Sequence, residues 1–166
     1  ESRFESRRES RVEKYPMEAL CFYTVSYVQT SFYIVSGEVF VHLGFTPGFG
    51  LTHTLERIVG AQRANLMFLT GRRINGETAQ QWGLGDIYTD TDNVRSAAIE
   101  LAQEIAENAP LALLSLREQM RPNIAEAVND VTTIESREQK WLQQTSDHKE
   151  GIKAVAAKRA GKFTSS

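Results

Sequence analysis

The sequence contains a single cysteine, Cys21, among its 166 residues. One cysteine excludes an intrachain disulfide framework, and it also excludes any zinc site built from several thiolates. We therefore expect a chain that folds without covalent cross-links. Low cysteine usage of this kind is typical of a reducing compartment, so we expect a cytoplasmic protein.

Long apolar runs and a strong net charge are also lacking. Gln29, Thr30 and Ser31 interrupt the longest apolar region, which falls short of the about 18 residues that a spanning helix needs. The formal net charge of −2 gives no reason to expect nucleic acid or an anionic membrane as partner. With 41% hydrophobic and 24% charged residues, the composition predicts one soluble globular unit.

The N-terminal part changes character at Tyr15. Residues 1–14 repeat Glu-Ser-Arg every four residues with little apolar content, which predicts a charged low-complexity tail. From Tyr15 to Leu43, β-branched and aromatic residues dominate, which favours two or three short strands. The strand-like runs are Phe22–Val28, Ser31–Val35 and Val39–Leu43.

Beyond Gly44 the periodicity is mostly helical. Helices are predicted over 55–69, 75–82, 94–106, 110–121 and 123–145, with a last one capped by Asp147 and a brief extended Ile87–Tyr88. The helix over 123–145 is expected to bury Ile124, Ala127, Val128, Val131, Ile134 and Trp141 or Leu142. The predicted fold class is thus α/β, with short N-terminal strands followed by a mostly helical region.

A glycine-proline turn over 44–52 separates these two regions. Three glycines and Pro47 force a sharp bend that permits positive φ and close approach of another group. The turn leads into a predicted helix, whose N-terminal N–H groups attract anions. The local pattern leaves two interpretations open: the turn helps to hold a phosphate or an oxyanion, or it only joins two elements.

Common nucleotide and nucleophile motifs are absent from this turn. His53 stands where a dinucleotide loop needs its third glycine, and no lysine follows Gly50 as in a P-loop. No serine lies in a Gly-x-Ser-x-Gly elbow. Nucleophilic catalysis therefore has no support in the sequence.

Histidines and carboxylates near the turn give no clear site. His42, His53 and His148 are not at metal-ligand spacing, so we predict no metal site and expect exposed or hydrogen-bonded histidines. Glu38 precedes the turn and Glu56 follows it. Each is either a general acid or base in a dry pocket or a surface carboxylate.

From Phe40 to Tyr88 the sequence resembles the crotonase superfamily, the enoyl-CoA hydratase/isomerase family. Weaker similarity continues to Lys158-Arg159, so the resemblance covers about three quarters of the chain and mainly the family's C-terminal half. Residues 1–39 show no such resemblance. The matching segments are Leu43-Gly44-Phe45-Thr46-Pro47 with Gly50, Arg57-Ile58-Val59-Gly60, Leu69-Thr70-Gly71-Arg72 and Trp82-Gly83-Leu84-Gly85-Asp86.

The resemblance implies a partial ββα-spiral fold that assembles as a homo-oligomer, a trimer or a hexamer. It also implies an acyl-CoA thioester as substrate, with no further cofactor, and an enolate stabilised by two backbone N–H groups. In the family these two N–H groups come from segments of the N-terminal half, which residues 1–39 do not resemble. Residues 15–110 would form a partial crotonase-like core, and residues 111–166 a C-terminal helical oligomerisation region.

The resemblance also assigns site residues. The family's acid positions fall on Phe40 and Gly48, and neither residue transfers a proton, so Glu38 is left as the candidate acid. Two functions stay open: an acyl-CoA-binding protein of enoyl-CoA hydratase/isomerase type without its usual carboxylates, or a non-catalytic oligomerisation or interaction module, including a truncated gene product. The implied substrate-binding residues are Pro47, Gly48, Phe49, Gly50, Lys158 and Phe163.

Overall fold

A computed structural model describes residues 28–29 and 39–166 of the chain. The expected tail over 1–14, the expected strand Ser31–Val35 and the candidate acid Glu38 lie outside the described residues. The described elements, in chain order, are β1 (Val28–Gln29), α1 (Val39–His42), α2 (Leu51–Val59), α3 (Ala61–Thr70), α4 (Gly76–Gln81), β2 (Ile87–Tyr88), α5 (Val94–Ala106), α6 (Pro110–Met120), α7 (Ile124–Leu142) and α8 (Ser146–Ala156).

The chain divides into two compact units. In the first, the described residues are 28–29 and 85–122, and β1 pairs with β2 in parallel, Val28 opposite Ile87 and Gln29 opposite Tyr88. Helices α5 and α6 are the helices described in this unit. Pro110 at the start of α6 is the N-terminal proline that the sequence predicts. The predicted extension at Ile87–Tyr88 and both helices are confirmed.

The second unit contains residues 39–84 and 123–166 among those described, and its core lies where α2, α3 and α4 meet. Asn75 begins α4, and its Oδ1 accepts the Thr78 N–H at 2.8 Å, as the capping prediction requires. The buried apolar cluster consists of Leu55, Val59, Ala64, Met67, Ile74 and Ala79.

One strand prediction is wrong. Val39–Leu43 was expected to be extended, yet residues Val39–His42 form the short helix α1. The N–H groups of Leu43 and Phe45 both donate to the Phe40 carbonyl, at 3.0 and 2.8 Å, and so close the chain into a turn. These short-range hydrogen bonds accompany a helical turn in spite of a β-branched composition, which is a weak preference by itself.

One helix prediction is also wrong, because the run over 55–69 is divided between α2 and α3. Gly60 separates them with φ 82 and ψ 157, a backbone conformation outside any helix. Its N–H still caps the end of α2 by donating to the Glu56 carbonyl at 2.9 Å. The apolar period continues across Gly60, so the spacing of apolar residues gives no sign of the break between α2 and α3.

Helix α7 buries the predicted stripe in part. Ile134 and Trp141, two of the residues expected there, are 51% and 54% exposed. The other predicted residues are half-buried, as expected: Ile124, Ala127, Val128, Val131 and Leu142, the alternative to Trp141. Glu135 occupies the same stripe, at 4% exposure and in helical register with Val128 and Val131. A carboxylate therefore stands on the inner face of α7.

Helix α8 has its N-cap two residues before the predicted one. Thr145 is the N-cap residue, since its Oγ1 accepts the His148 N–H at 3.0 Å. Asp147, the predicted cap, instead accepts the N–H groups of Thr164 and Ser165 at 2.7 and 2.9 Å. Among the helices described, none is both long and apolar enough to cross a membrane.

Candidate functional site

The glycine turn has a left-handed backbone at two successive residues. Phe49 has φ 62 and Gly50 has φ 73. Glycine is required at position 50, because a Cβ there would lie 2.8 Å from Val128 Cγ1. Pro47, Gly48 and Gly50 are buried, whereas the Phe49 side chain is 94% exposed. The turn thus presents one aromatic side chain outward from a buried backbone.

The buried carboxylate of Glu135 holds the end of this turn. Its Oε2 accepts the Gly50 N–H at 2.7 Å, and its Oε1 accepts the Thr52 N–H at 3.0 Å and the Thr52 hydroxyl at 2.6 Å. A negative group at a helix N-terminus is stabilising, because it meets the unpaired N–H groups and the positive end of the helix dipole. The sequence predicted free N–H groups at the start of α2, and at Gly50 and Thr52 this is wrong.

Gln139 holds the other side of the turn from the same helix face. It lies four residues after Glu135, one helical turn further along α7, and its Nε2 donates to the Thr46 carbonyl at 2.9 Å. A Cβ at Gly48 would lie 2.8 Å from that Nε2. Helix α7 therefore fixes the backbone both before and after Gly48 and Phe49.

Helix α8 supports the approach to the turn. His148 Nδ1 is hydrogen-bonded to the Leu43 carbonyl at 2.8 Å, and its ring lies against Phe45, tilted by 30° with centroids 5.0 Å apart. Gly151 lets the backbones meet, because a Cβ there would lie 2.5 Å from the Leu43 carbonyl carbon. His42 Nε2 also has a partner, the Gly71 carbonyl at 3.2 Å. The hydrogen-bonded interpretation of His42 and His148 is confirmed.

Two backbone donors of the turn are left over. Among the residues that the structure describes, neither the Gly48 N–H nor the Phe49 N–H donates a hydrogen bond. Because a buried N–H without an acceptor is costly and rare, such a donor at buried Gly48 marks a candidate ligand contact.

The predicted contact residues near the C-terminus are only partly brought to the turn. Phe163, 45% exposed, lines a cavity of 580 Å³ together with Phe45, Thr46 and Trp141. Lys158 does not line that cavity; it lies in the turn after α8, with φ 51 and an exposed side chain. The structure therefore places Phe163 beside the first half of the turn and Lys158 apart from that cavity.

An ion pair fastens the segment after α8. Arg159 Nη1 lies 2.5 Å from Glu150 Oε1, and the Lys162 N–H donates to the same oxygen at 3.0 Å. These hydrogen bonds, chiefly the one from Arg159, lower the pKa of the Glu150 carboxyl to about 2. The same contact raises the pKa of Arg159. Arg159 is thus paired with a carboxylate of the same C-terminal region.

Sequence reasoning missed Glu135 and Gln139, the residues that hold the turn. Glu135 lies 85 residues from Gly50 along the chain, so no local pattern links them. One signal was present: Glu135 falls seven residues after Val128 and seven before Leu142, on the apolar stripe of α7. A carboxylate on a predicted buried face requires hydrogen-bond donors, and this requirement marks Glu135 as a candidate site residue.

Comparison with known proteins places this architecture in a family. The enoyl-CoA hydratase/isomerase family model matches residues 25–166. The chain belongs to that family, as the sequence predicted from the block around the turn. The match begins before Phe40, so the prediction that residues 1–39 bear no resemblance is wrong from residue 25 onward.

Individual relatives agree with this assignment. The chain is 34% identical over 123 residues to the 2,3-dehydroadipyl-CoA hydratase of Escherichia coli K12, covering 74% of this chain and 48% of that protein. It is 34% identical over 116 residues to the short-chain-enoyl-CoA hydratase of Clostridioides difficile, covering 70% of this chain and 75% of that one. The chain spans about half the length of most of the curated relatives it matches.

Solved structures show the same fold. A carnitinyl-CoA hydratase from Mycobacterium avium superposes with a TM-score of 0.69 at 27% identity, covering 76% of this chain and 49% of that one. An enoyl-CoA hydratase/isomerase from Pseudoalteromonas atlantica T6c gives a TM-score of 0.74 at 23% identity, covering 89% and 59%. The second likeness concerns the fold alone.

Proposed function

We propose that the chain binds an acyl-CoA thioester at the glycine turn, as a protein of enoyl-CoA hydratase/isomerase type. The observation that carries the proposal is the fixed turn, whose Gly48 and Phe49 N–H groups donate to no acceptor among the described residues. Family membership supports it, because the relatives include a 2,3-dehydroadipyl-CoA hydratase and a 1,2-epoxyphenylacetyl-CoA isomerase.

The chemistry proposed is polarisation by backbone amides. N–H groups aimed at a thioester oxygen stabilise the negative charge that develops there when an enolate forms. In this proposal the Gly48 and Phe49 N–H groups take the place of the donors that the family's N-terminal half supplies. The reaction needs no cofactor beyond the coenzyme A carried by the substrate. Three finer assignments belong to the same proposal. The fold is a partial ββα-spiral whose core spans residues 15–110. The chain assembles as a trimer or a hexamer, and it is cytoplasmic.

Proton transfer is the step that the residues at the family's acid positions do not support. By resemblance, the family's two acid positions fall on Phe40 and Gly48, and neither side chain carries a titratable group. Glu135 is buried and both its carboxyl oxygens accept hydrogen bonds from the turn, so its structural role is to hold the turn. We therefore propose that the chain binds the thioester and hydrates it little or not at all. Glu38 is the candidate acid for any hydration that does occur.

Substrate contacts are proposed on both sides of the turn. The exposed ring of Phe49 would lie against the acyl group, because it projects beside the two unused N–H groups. Phe163 and Lys158 would contact the coenzyme A moiety, the lysine through its positive charge on phosphate. The proposed substrate-binding residues are thus Pro47, Gly48, Phe49, Gly50, Lys158 and Phe163.

Calorimetric titration with crotonyl-CoA and acetyl-CoA tests the proposal. We expect saturable binding of both thioesters, and little change in the enoyl absorbance when crotonyl-CoA is incubated with the chain. Free coenzyme A serves as the control, because it lacks the thioester carbonyl. Absence of binding at millimolar thioester would remove the proposal.

A second function, an oligomerisation module over 111–166, is favoured by one observation. Large apolar side chains stay exposed on α6, α7 and α8 and on the segment after α8, and such surface favours association. Light scattering of the purified chain tests it: an oligomer is expected, and a clean monomer would contradict it. The exposed residues are Leu111, Leu116, Met120, Ile134, Trp141, Ile152, Val155 and Phe163.

A further inference from the structure

We infer that Glu135 and Gln139 are positioning residues, which aim the Gly48 and Phe49 N–H groups by holding the backbone of the turn. This inference rests on the proposed function, because it gives these two side chains a role in acyl-CoA binding. Neither of them touches the ligand in this account, and both act through the turn.

The contacts of Glu135 explain why its position controls the turn. At 4% exposure its carboxyl group needs hydrogen-bond donors, and the three it has all belong to Gly50 and Thr52. A helix N-terminus is usually capped by a nearby serine, threonine, aspartate or asparagine. At α2 the N-cap residue is Gly50, which has no side chain, so the cap comes from α7.

Gln139 adds a second point of attachment. Its Nε2 donates to the Thr46 carbonyl, on the other side of Gly48 and Phe49 from the Glu135 contacts. Gly48 lies close to the same amide, because a Cβ at this position would be 2.8 Å from Gln139 Nε2. The four backbone and side-chain contacts leave the N–H groups of Gly48 and Phe49 between two anchors on one helix face.

This arrangement matters for binding because hydrogen-bond donors work only when they are held in place beforehand. Donors must stay within about 0.5 Å of the productive geometry for a ligand to gain from them. Phe49 adopts a left-handed backbone without being a glycine, a conformation that needs support from its surroundings. We conclude that α7 supplies that support.

Glu135→Gln is the direct test, with Glu126→Gln as the matched control. The substitution preserves shape but replaces one acceptor oxygen by an NH₂ group, which then faces the Gly50 N–H or the Thr52 donors. Glu126 lies on α7 with an exposed side chain, so the same change there should leave binding unaltered. Each variant is measured as the full chain, by calorimetry with crotonyl-CoA and by the amide NMR resonances of the turn.

For Glu135→Gln we expect about tenfold weaker binding of crotonyl-CoA, since small misplacement of binding groups is costly. We also expect shifted Gly48 and Phe49 resonances before any ligand is added. If this variant does not fold, Thr52→Val is the second test, because it removes only the 2.6 Å hydroxyl contact. It should weaken binding by about threefold in the same direction.

The outcomes separate the two claims. If wild-type chain binds no crotonyl-CoA, the proposed function fails and takes the inference with it. If the wild type and folded Thr52→Val or Glu135→Gln bind equally well, the inference alone is overturned. A variant that is less stable but binds with unchanged affinity would show that Glu135 is merely structural, which also overturns the inference.

Discussion

Replacing Gly151 by alanine tests the packing of α8 against the residues that lead into the turn. In a free helix interior this change is favourable by about 1 kcal/mol, because glycine is a poor helix former. Here the new Cβ would lie 2.5 Å from the carbonyl carbon of Leu43 and 2.7 Å from the carbonyl oxygen of His42. Both neighbours are backbone atoms, which cannot move aside by a rotamer change.

The expected sign follows from comparing the two effects. Overpacking in a close contact costs about 1–3 kcal/mol, and rigid backbone neighbours favour the upper end of that range. After subtraction of the propensity gain, we expect Gly151→Ala to lower the free energy of unfolding by about 1–2 kcal/mol. For a chain of this length each kcal/mol lowers the melting temperature by about 2–4 °C.

Urea and thermal unfolding of wild type and Gly151→Ala measure this difference. Lys153→Ala is the matched control, because Lys153 lies on the same helix with an exposed side chain and should change stability by less than about 0.5 kcal/mol. A Gly151→Ala variant more stable than wild type would refute the reasoning. It would mean that α8 does not lie against Leu43.

Three further predictions concern single side chains. Phe49→Ala should change stability by less than about 0.5 kcal/mol, because the ring is 94% exposed, while calorimetry should show weaker crotonyl-CoA binding. His148→Ala should cost about 1–3 kcal/mol in urea unfolding, since it removes the bond to the Leu43 carbonyl and the contact with Phe45. Because the folded pKa of Glu150 is depressed to about 2 from 4.5, its contribution to stability is present above 4.5 and is lost as pH falls to 2. Glu150→Gln should therefore be less stable than wild type at pH 7 and should match it near pH 2 in urea unfolding.

Local signals determined which parts of the fold could be predicted. Helix α5 has the predicted bounds Val94–Ala106, because its apolar period and flanking residues all lie within one stretch. The start of α6 at Pro110 follows from the fixed φ of proline. These features need no information from distant residues.

Each wrong prediction has an identifiable physical cause. Val39–His42 is helical because the Phe40 carbonyl accepts two nearby N–H groups, although its composition favours a strand. The break at Gly60 was hidden because apolar spacing continued across it. Ile134 and Trp141 face solvent because the buried stripe of α7 passes through Glu135.

The candidate site divides in the same way. The turn from Gly44 to Thr52 was visible in sequence, since glycine and proline have strong local backbone preferences. Its anchors were not, because Glu135 and Gln139 are separated from it by more than 80 residues. Pairing between distant helices depends on the packed fold.

The most direct measurement is an NMR titration of the chain with crotonyl-CoA, observed at the Gly48 and Phe49 amides. If these N–H groups contact the thioester, their resonances should shift saturably, whereas the Gly50 and Thr52 resonances should move less because Glu135 already holds those donors. Free coenzyme A should produce smaller shifts at Gly48 and Phe49. Unchanged Gly48 and Phe49 resonances at saturating crotonyl-CoA would contradict the account.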